Sequence, residues 1–258
     1  MSGKKSENAS TNQDQKGIVS IAEAARLMRG RVLGAKGIES VAVPPLSVSP
    51  AELQERARAG YDLLLVNPLT MEKQNALFAE RNSTKGRLLY NIPNEPFVKE
   101  ETPPRQWGFF KAIGKNTTNS NYLEQVGILA AIASKESNLS EGLKDAIGYF
   151  RQEEPRLDEI LQARMYEKFL AELANTGIEP HLVPSGAEQL AHSAALLAEK
   201  DERPFRNFYA RNRSRSRGFP GRVAGLGVLD EYGAYVLGWD PDGRSQFLGV
   251  SSLRRIES

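Results

Sequence analysis

Seven arginines are concentrated between residues 203 and 222, a segment that contains no acidic residue. Guanidinium groups form paired hydrogen bonds with phosphate and carboxylate oxygens, and an aromatic ring beside them can stack on a nucleic-acid base. The segment therefore indicates a surface for an anionic partner, with nucleic acid as one candidate. The residues expected to form this surface are Arg206, Tyr209, Arg211, Arg213, Arg215, Arg217 and Arg222.

The spacing of these residues predicts how they are presented. If residues 207 to 217 form a strand, then Tyr209 and the arginines at 211, 213, 215 and 217 project from one face, because successive side chains alternate. Two other interpretations stay open. Charges on an exposed edge strand discourage pairing with another sheet, and the arginines can instead pair with acidic groups elsewhere in the chain.

Charge is divided unevenly along the chain. Residues 203 to 258 contain ten arginines and five acidic residues, a balance of +5, so the net charge of +2 leaves −3 for residues 1 to 202. An acidic protein surface is therefore a second candidate partner for the basic segment.

Residue types for catalysis or metal binding are sparse. The sequence has no cysteine and two histidines, which excludes disulfides and thiolate metal sites. His181 and His192 have Ser185 and Ser193 as their nearest hydroxyl neighbours, but no third group that would orient either imidazole is indicated. We therefore assign no catalytic residue, metal ligand or cofactor, and the sequence favours a binding protein over an enzyme.

The elements that would position the basic segment fall into three regions. Residues 1 to 17 are polar and predict a disordered tail, residues 18 to 202 a mainly helical body, and residues 203 to 258 a β-meander packed on that body. Helices are predicted over residues 21–29, 50–58, 71–80, 121–134, 143–150, 156–175 and 186–199, with a further short one within 34–43. Short strands are predicted over residues 61–66, 87–91 and 107–113.

The C-terminal region changes to the alternating pattern of strands. Residues 223–230, 234–239 and 246–250 are short β-type runs, and Asp240, Pro241, Asp242 and Gly243 form a strong turn signal between the last two. The sequence therefore predicts an α+β fold: a mostly helical body with a few short strands, followed by a C-terminal antiparallel β-meander.

Targeting and membrane segments are not indicated. Residues 1 to 16 lack the apolar run of a secretory signal, and the longest apolar runs fall far short of the roughly 20 residues that cross a bilayer. We therefore expect a cytoplasmic protein without a membrane partner.

An ordered set of short motifs carries a resemblance. Pro68-Leu69-Thr70-Met71, Asn121-Tyr122-Leu123-Glu124-Gln125 and, near the C-terminus, Gly227-Val228-Leu229-Asp230, Gly238-Trp239, Leu248-Gly249-Val250 and Arg254-Arg255 resemble a group of bacterial proteins without an assigned activity. The likeness spans most of residues 20 to 258. It implies a bacterial source and a single inherited unit, and it implies no catalytic residue.

Three functions are compatible with these observations. The leading hypothesis is a non-enzymatic binding or assembly protein whose basic C-terminal face contacts an anionic partner. The second is a structural or protein-interaction factor whose arginines contact an acidic protein surface. The third is an enzyme whose site lies in a cleft between the body and the meander.

Overall fold

The computed structural model describes residues 17–35, 43–85, 87–91, 93–114, 116–136, 139–218 and 220–256. The predicted tail, apart from Gly17, and most of the short helix predicted within 34–43 lie outside these residues. The α+β class is confirmed. The helices are α1 Ile21–Leu27, α2 Pro50–Arg58, α3 Met71–Arg81, α4 Pro96–Lys99, α5 Tyr122–Ala133, α6 Glu141–Gln162, α7 Tyr166–Asn175, α8 Glu179–Leu182 and α9 Gly186–Lys200, with a 3-10 turn at Ser83–Lys85. The strands are β1 Val32–Leu33, β2 Asp62–Val66, β3 Gln106–Lys111, β4 Tyr209–Arg215, β5 Val223–Asp230, β6 Gly233–Trp239, β7 Leu248–Val250 and β8 Ser252–Arg255.

Helix starts follow the capping residues of the sequence. Ser20 and Ser49 each accept a hydrogen bond from the backbone N–H three residues later, which satisfies one of the unpaired donors of the first turn. Asn121 and Ser185 form complete capping boxes with Glu124 and Glu188. The predicted starts of α1, α2, α3 and α9 are confirmed.

Pro155 does not separate two helices, contrary to the predicted break between residues 150 and 156, and the break falls between Gln162 and Tyr166 instead. The proline lies inside the 22-residue helix α6, although a proline in a helix interior costs about 3 kcal/mol or more. Residues on both sides of it, Phe150 before and Leu157 and Leu161 after, are buried in one core cluster. Burial of this continuous apolar face stabilises the helix across the proline.

The first sheet has the order β1-β2-β3-β8. β1 runs parallel to β2, while β2 with β3 and β3 with β8 are antiparallel. Two of the strands predicted in the body are therefore confirmed. The third, residues 87–91, forms only an isolated bridge between Leu89 and Ala234.

The second sheet has the order β6-β5-β4-β7 and contains the predicted antiparallel meander. β4 pairs antiparallel with β5 and β5 with β6, whereas β7 returns to lie parallel to β4 on its other side. Over residues 209–211, β4 has a neighbour on each side and is not an edge strand. The pairing with β7 ends at Arg211, so the edge-strand interpretation is wrong for the first half of β4. β8 continues from β7 into the first sheet, so the C-terminal region contributes to both sheets.

Helix α9 packs between the two sheets. Ala187, Leu190 and Leu197 share a core cluster with β4, β5 and β6, and Leu196 on another face packs with Leu33 and Phe110 of the first sheet. The residues of α9 are therefore placed where the two sheets meet. Within the described ranges, no helix is long and apolar enough to cross a membrane, and the cytoplasmic location stays a prediction.

Candidate functional site

Arg211, at the centre of the predicted basic surface, is fully buried, with 0% of its surface exposed. Its Nη2 donates to the carbonyls of Asp240 at 2.9 Å and Gly243 at 2.8 Å. Its Nη1 donates to Gln125 Oε1 at 3.0 Å, and the guanidinium lies over the Tyr122 ring. Burial lowers the pKa of Arg211 to about 10. This arginine holds the 240–243 turn against α5 and is not available to a partner.

Arg213 contacts acidic groups of the same chain. Its Nη2 lies 3.3 Å from Glu188 Oε2 in the first turn of α9, and its Nη1 lies 3.7 Å from Glu101. Glu188 is fully buried and also accepts two hydrogen bonds from Arg255 of β8, at 2.7 and 2.8 Å. Burial raises the pKa of Glu188, but the charges of Arg255 and Arg213 outweigh it and hold the pKa below its usual value. The ionised carboxylate thus joins β4, α9 and β8.

Arg215 is paired in the same way with a different glutamate. Its Nη2 lies 2.6 Å from both carboxylate oxygens of Glu179, and Glu179 also accepts from the Tyr122 hydroxyl at 2.5 Å. Burial lowers the pKa of Arg215, yet the carboxylate of Glu179 raises it above its ordinary value. Arg213 and Arg215 therefore pair with acidic residues of the body, as one of the two alternative interpretations of the basic segment predicts.

The other predicted positions are more accessible. Arg206 and Arg217 are exposed, and neither side chain makes a hydrogen bond or ion pair with any other described residue. Arg222 donates to Asp240 at 3.0 Å. Tyr209 is half-buried, with its ring 5.3 Å from that of Trp239. The seven residues thus do not form one continuous exposed stripe, and β4 has an irregular register between Arg211 and Arg215.

A cleft of about 670 Å³ lies at one end of α9. Its walls are the strand ends of the first sheet around Asp62 and Lys111, the C-terminal half of α9, and the segment 201–208 that leads into β4. The cleft is therefore located between the body and the start of the meander, where the third sequence hypothesis expects a site. Arg206 is the member of the predicted basic surface that lines it.

His192 and Asp62 form a buried pair that lines this cleft. His192 Nε2 lies 2.6 Å from Asp62 Oδ2, Asp62 also accepts from Arg31, and Phe110 stacks on the imidazole with ring centroids 4.1 Å apart. Burial lowers the pKa of His192 more than Asp62 raises it. For Asp62, burial raises the pKa, but His192 and Arg31 together lower it further. A neutral imidazole thus faces an ionised carboxylate.

This pairing fixes the tautomer of His192. Because an ionised carboxylate only accepts hydrogen bonds, Nε2 carries the hydrogen and Nδ1 keeps its lone pair. Nδ1 is buried and has no hydrogen-bond partner among the residues that the structure describes. An imidazole oriented by a carboxylate, with one free lone pair, is the arrangement of a general base or of a proton acceptor for a bound ligand.

Acid is expected to destabilise the protein partly through His192. Its folded-state pKa lies below the unfolded value of about 6.5, so the unfolded chain binds a proton that the folded chain does not, and stability rises with pH in this range. The free energy of unfolding, measured with urea, should fall between about pH 7 and about pH 5.5. His192→Gln should show a weaker pH dependence than wild type in this range. An unchanged pH dependence in His192→Gln would contradict this assignment.

Cationic side chains surround the pair. Arg203 donates to the backbone carbonyls of Asp230 and Lys85, and Lys111 donates to the carbonyl of Ala59 at 2.8 Å. Arg31 lies between Asp62 and Glu202, with Nη1 2.9 Å from Glu202. Because carbonyl groups do not neutralise charge, Arg203 is not compensated by the contacts that hold it.

Sequence reasoning assigned His192 no role because its partner is 130 residues away in the chain. The one local signal was a histidine on an otherwise apolar helix segment, which also fits an ordinary buried residue. The turn at residues 240–243 was predicted, but its use as a hydrogen-bonding cap on Arg211 was not. Within the described ranges, no group of three or more histidine, aspartate or glutamate side chains is arranged to hold a metal ion.

Two mixed four-stranded sheets around a shared helix, with a polar cleft at one end of that helix, define an α+β protein with a candidate ligand-binding site. No protein-family model, curated protein or solved structure matches the chain at a significant level. The resemblance to a group of bacterial proteins therefore stays a prediction.

Proposed function

We propose that the protein binds a small organic anion in the cleft at the end of α9. The observation that carries this proposal is Arg206, an exposed guanidinium that lines the cleft and makes no hydrogen bond or ion pair within the described part of the chain. Arginine binds carboxylate and phosphate through paired hydrogen bonds. An anion in the cleft would supply the partner that the fold does not.

The neighbouring charges support the same ligand class. Arg203 is held by two backbone carbonyls, which carry no net charge, while Arg31 is largely compensated by Asp62 and Glu202. An anion would therefore meet Arg203 and Arg206 on one wall. The acidic residues of the cleft are already engaged: Glu202 by Arg31 and Asp201 by Lys85.

The shape and the apolar walls indicate an organic ligand. The volume of about 670 Å³ lies within the usual range for small-molecule sites. Ile113, Leu196 and Phe208 contribute apolar surface to the lining. A ligand with a carboxylate or phosphate at one end and an aromatic or aliphatic portion at the other complements both parts of the cleft.

Replacing Arg206 by alanine is expected to weaken binding of such anions without affecting folding. A hydrogen bond to a charged group contributes about 1.5–3 kcal/mol, so the affinity should fall about tenfold or more. Isothermal titration with AMP, benzoate and citrate at low salt measures this effect. Arg217→Ala is the matched control, since Arg217 is another exposed arginine of the segment and does not line the cleft. The proposal fails if no anion binds Arg206→Ala more weakly than wild type.

A broader form of this proposal is that the protein binds a larger anionic partner, in particular nucleic acid. Arg206 and Arg217 are its accessible cations, and the exposed rings of Tyr232 and Phe247 belong to the same C-terminal region. Phosphate-driven binding weakens steeply with salt. Titration with a single-stranded oligonucleotide at two salt concentrations distinguishes nucleic-acid binding from small-anion binding. If nucleic acid binds along the basic segment, Arg217→Ala should weaken binding as much as Arg206→Ala does.

A proton-transfer enzyme is a second candidate function for the same cleft. The observation that favours it is the free lone pair of His192 Nδ1, on an imidazole oriented by Asp62. A neutral imidazole with a free lone pair can accept a proton from a bound ligand. This function is supported if the wild-type protein turns over a bound anion and His192→Gln does not. His192→Gln should still bind that anion with wild-type affinity.

A further inference from the structure

A row of aromatic rings crosses the face of the second sheet that turns away from α9. The rings of this aromatic row are those of Tyr90, Tyr235, Tyr209 and Trp239. Tyr90 stacks on Tyr235 with ring centroids 4.6 Å apart, and Tyr209 pairs with Trp239 with centroids 5.3 Å apart and ring planes at 60°. Side chains alternate along a strand, so Tyr235 and Trp239 point away from the core cluster that Val236 shares with α9. The row is separate from the cleft, because none of its rings lines the cleft.

Glycines of the middle strand β5 let two of these rings lie against the sheet. A β-carbon at Gly227 would come within 2.5 Å of the Tyr209 ring, and a β-carbon at Gly225 within 3.1 Å of the Trp239 ring. One side of each ring is thus covered by backbone. Leu237 of β6, which points to the same face, is 40% exposed. The aromatic row and Leu237 therefore present a partly exposed apolar surface.

The tyrosines of the row offer hydrogen-bond donors. The hydroxyls of Tyr90, Tyr209 and Tyr235 make no hydrogen bond with another residue in the described ranges. Partial burial raises the pKa of the Tyr235 hydroxyl, and the nearby Tyr90 hydroxyl and Asp230 carboxylate raise it further. The phenol therefore stays protonated at neutral pH and can donate to a carbonyl oxygen. Carbonyls without a partner are typical of a polyproline II helix, which has no internal hydrogen bonds.

Two carboxylates without a counter-charge lie beside the row. Asp230 ends β5 and Glu231 follows it, and neither forms an ion pair with any residue that the structure describes. Arg203 bonds the backbone carbonyl of Asp230 and not its carboxylate, while the carboxylate accepts the Tyr232 N–H at 2.8 Å. A partner that carries a lysine or arginine next to an apolar part complements these charges, and a phosphate backbone does not.

We infer that the aromatic row binds a proline-rich segment of another protein that carries a basic residue at one end. Such segments adopt the polyproline II helix before they bind, and they dock in grooves lined by aromatic side chains. The rings and Leu237 contact the prolines, the tyrosine hydroxyls donate to the peptide carbonyls, and Asp230 and Glu231 pair with the basic residue. Each feature of this face thus meets one feature of the peptide.

Three peptides of equal length test this inference. One is octaproline followed by arginine, one is octaproline followed by glutamate, and one is four Gly-Ser repeats followed by arginine. In titrations of the full chain the first should bind most tightly, and the third most weakly because a flexible chain loses more entropy on binding. The first should also change the fluorescence of Trp239, to which the buried Trp107, 2% exposed, adds a constant background.

The same titrations distinguish other occupants of this face. Tighter binding of oligothymidylate or of cellohexaose than of octaproline–arginine would overturn the inference in favour of nucleic acid or carbohydrate. Equal affinity for the arginine and glutamate peptides would remove the role of the carboxylates. No binding of octaproline–arginine up to millimolar concentration would also overturn the inference.

Two variants and a matched control locate the site. Tyr90→Ala removes one ring of the row and should weaken octaproline–arginine about fivefold or more. Tyr149→Ala on α6 is the control, because Tyr149 and Tyr90 are similarly exposed, at 46% and 49%, and only Tyr90 belongs to the row. Glu231→Gln should weaken octaproline–arginine about two- to fivefold and should not weaken octaproline–glutamate. Wild-type affinity in Tyr90→Ala, or an equal loss in Tyr149→Ala, would contradict this location.

Discussion

Arg211→Met is expected to lower the free energy of unfolding by about 3–5 kcal/mol. Methionine fills part of the volume but donates no hydrogen bond. The buried side-chain oxygen of Gln125 and the partly buried carbonyls of Asp240 and Gly243 would then lose their donor. Buried acceptors that lose their partner cost about 1–3 kcal/mol each, and several lose it at once.

Chemical denaturation of wild type, Arg211→Met and Arg217→Met measures this effect. Arg217→Met removes the same charge from the same segment at an exposed position, so its stability should stay within about 0.5 kcal/mol of wild type. Arg211→Lys should recover only part of the loss, because an ammonium cannot reproduce the planar fork of the guanidinium. A loss below about 1 kcal/mol in Arg211→Met would show that the 240–243 turn does not depend on this side chain.

Glu188→Gln is expected to destabilise the fold by about 3 kcal/mol or more. The carboxylate is fully buried and accepts from Arg255, Arg213 and the Ser185 N–H, the last at 2.7 Å. Glutamine keeps the shape and one acceptor oxygen, but it removes the counter-charge of Arg255 and leaves Arg213 with Glu101 as its acidic partner. Because Glu188→Gln keeps an acceptor for the helix cap, the decrease in the free energy of unfolding measures the contribution of the charge.

Urea titration of Glu188→Gln beside Glu141→Gln gives the comparison. Glu141 pairs with Lys144, and its side chain is 83% exposed, so its loss should change stability by no more than about 0.5 kcal/mol. The lowered pKa of Glu188 also predicts a pH effect. Its contribution is present above the unfolded pKa of about 4.3 and is lost as the pH falls through the lower folded pKa. Glu188→Gln should accordingly be less sensitive to acid in that range. Equal stability of the two variants would contradict the role of this charge.

The internal roles of Arg211, Arg213 and Arg215 limit which variants can test the anionic-partner hypothesis. Replacing Arg211, Arg213 or Arg215 would remove internal bonds, so a loss of binding in those variants could reflect unfolding. Arg206 and Arg217 are exposed, and their replacement reports on binding alone. The comparison between them also distinguishes a ligand in the cleft from a partner that covers the whole basic segment.

Local signals in the sequence determined the secondary structure well. Ser49 followed by Pro50 predicts the start of α2, and Ser185 with Glu188 predicts the start of α9, because a cap needs only residues three positions apart. The strands β2, β3 and β4 and the meander followed from short apolar or alternating runs between turn residues. Pro155 is one exception, since the burial of Leu157 and Leu161 on the far side of the proline depends on neighbours that no local pattern reveals. Residues 87–91 are another, because they form an isolated bridge and not a strand.

The sequence by itself determined an α+β fold, the order of its main elements and the concentration of arginine before the meander. Only the tertiary structure decided which arginines are accessible. Arg211 and Arg217 have similar sequence surroundings, yet one is buried beneath the 240–243 turn and the other is exposed. The pairing of His192 with Asp62 and of Gln74 with Ala187 likewise joins residues more than a hundred positions apart. Charge and hydrogen-bonding capacity are properties of a residue type, whereas burial and partners depend on the path of the whole chain.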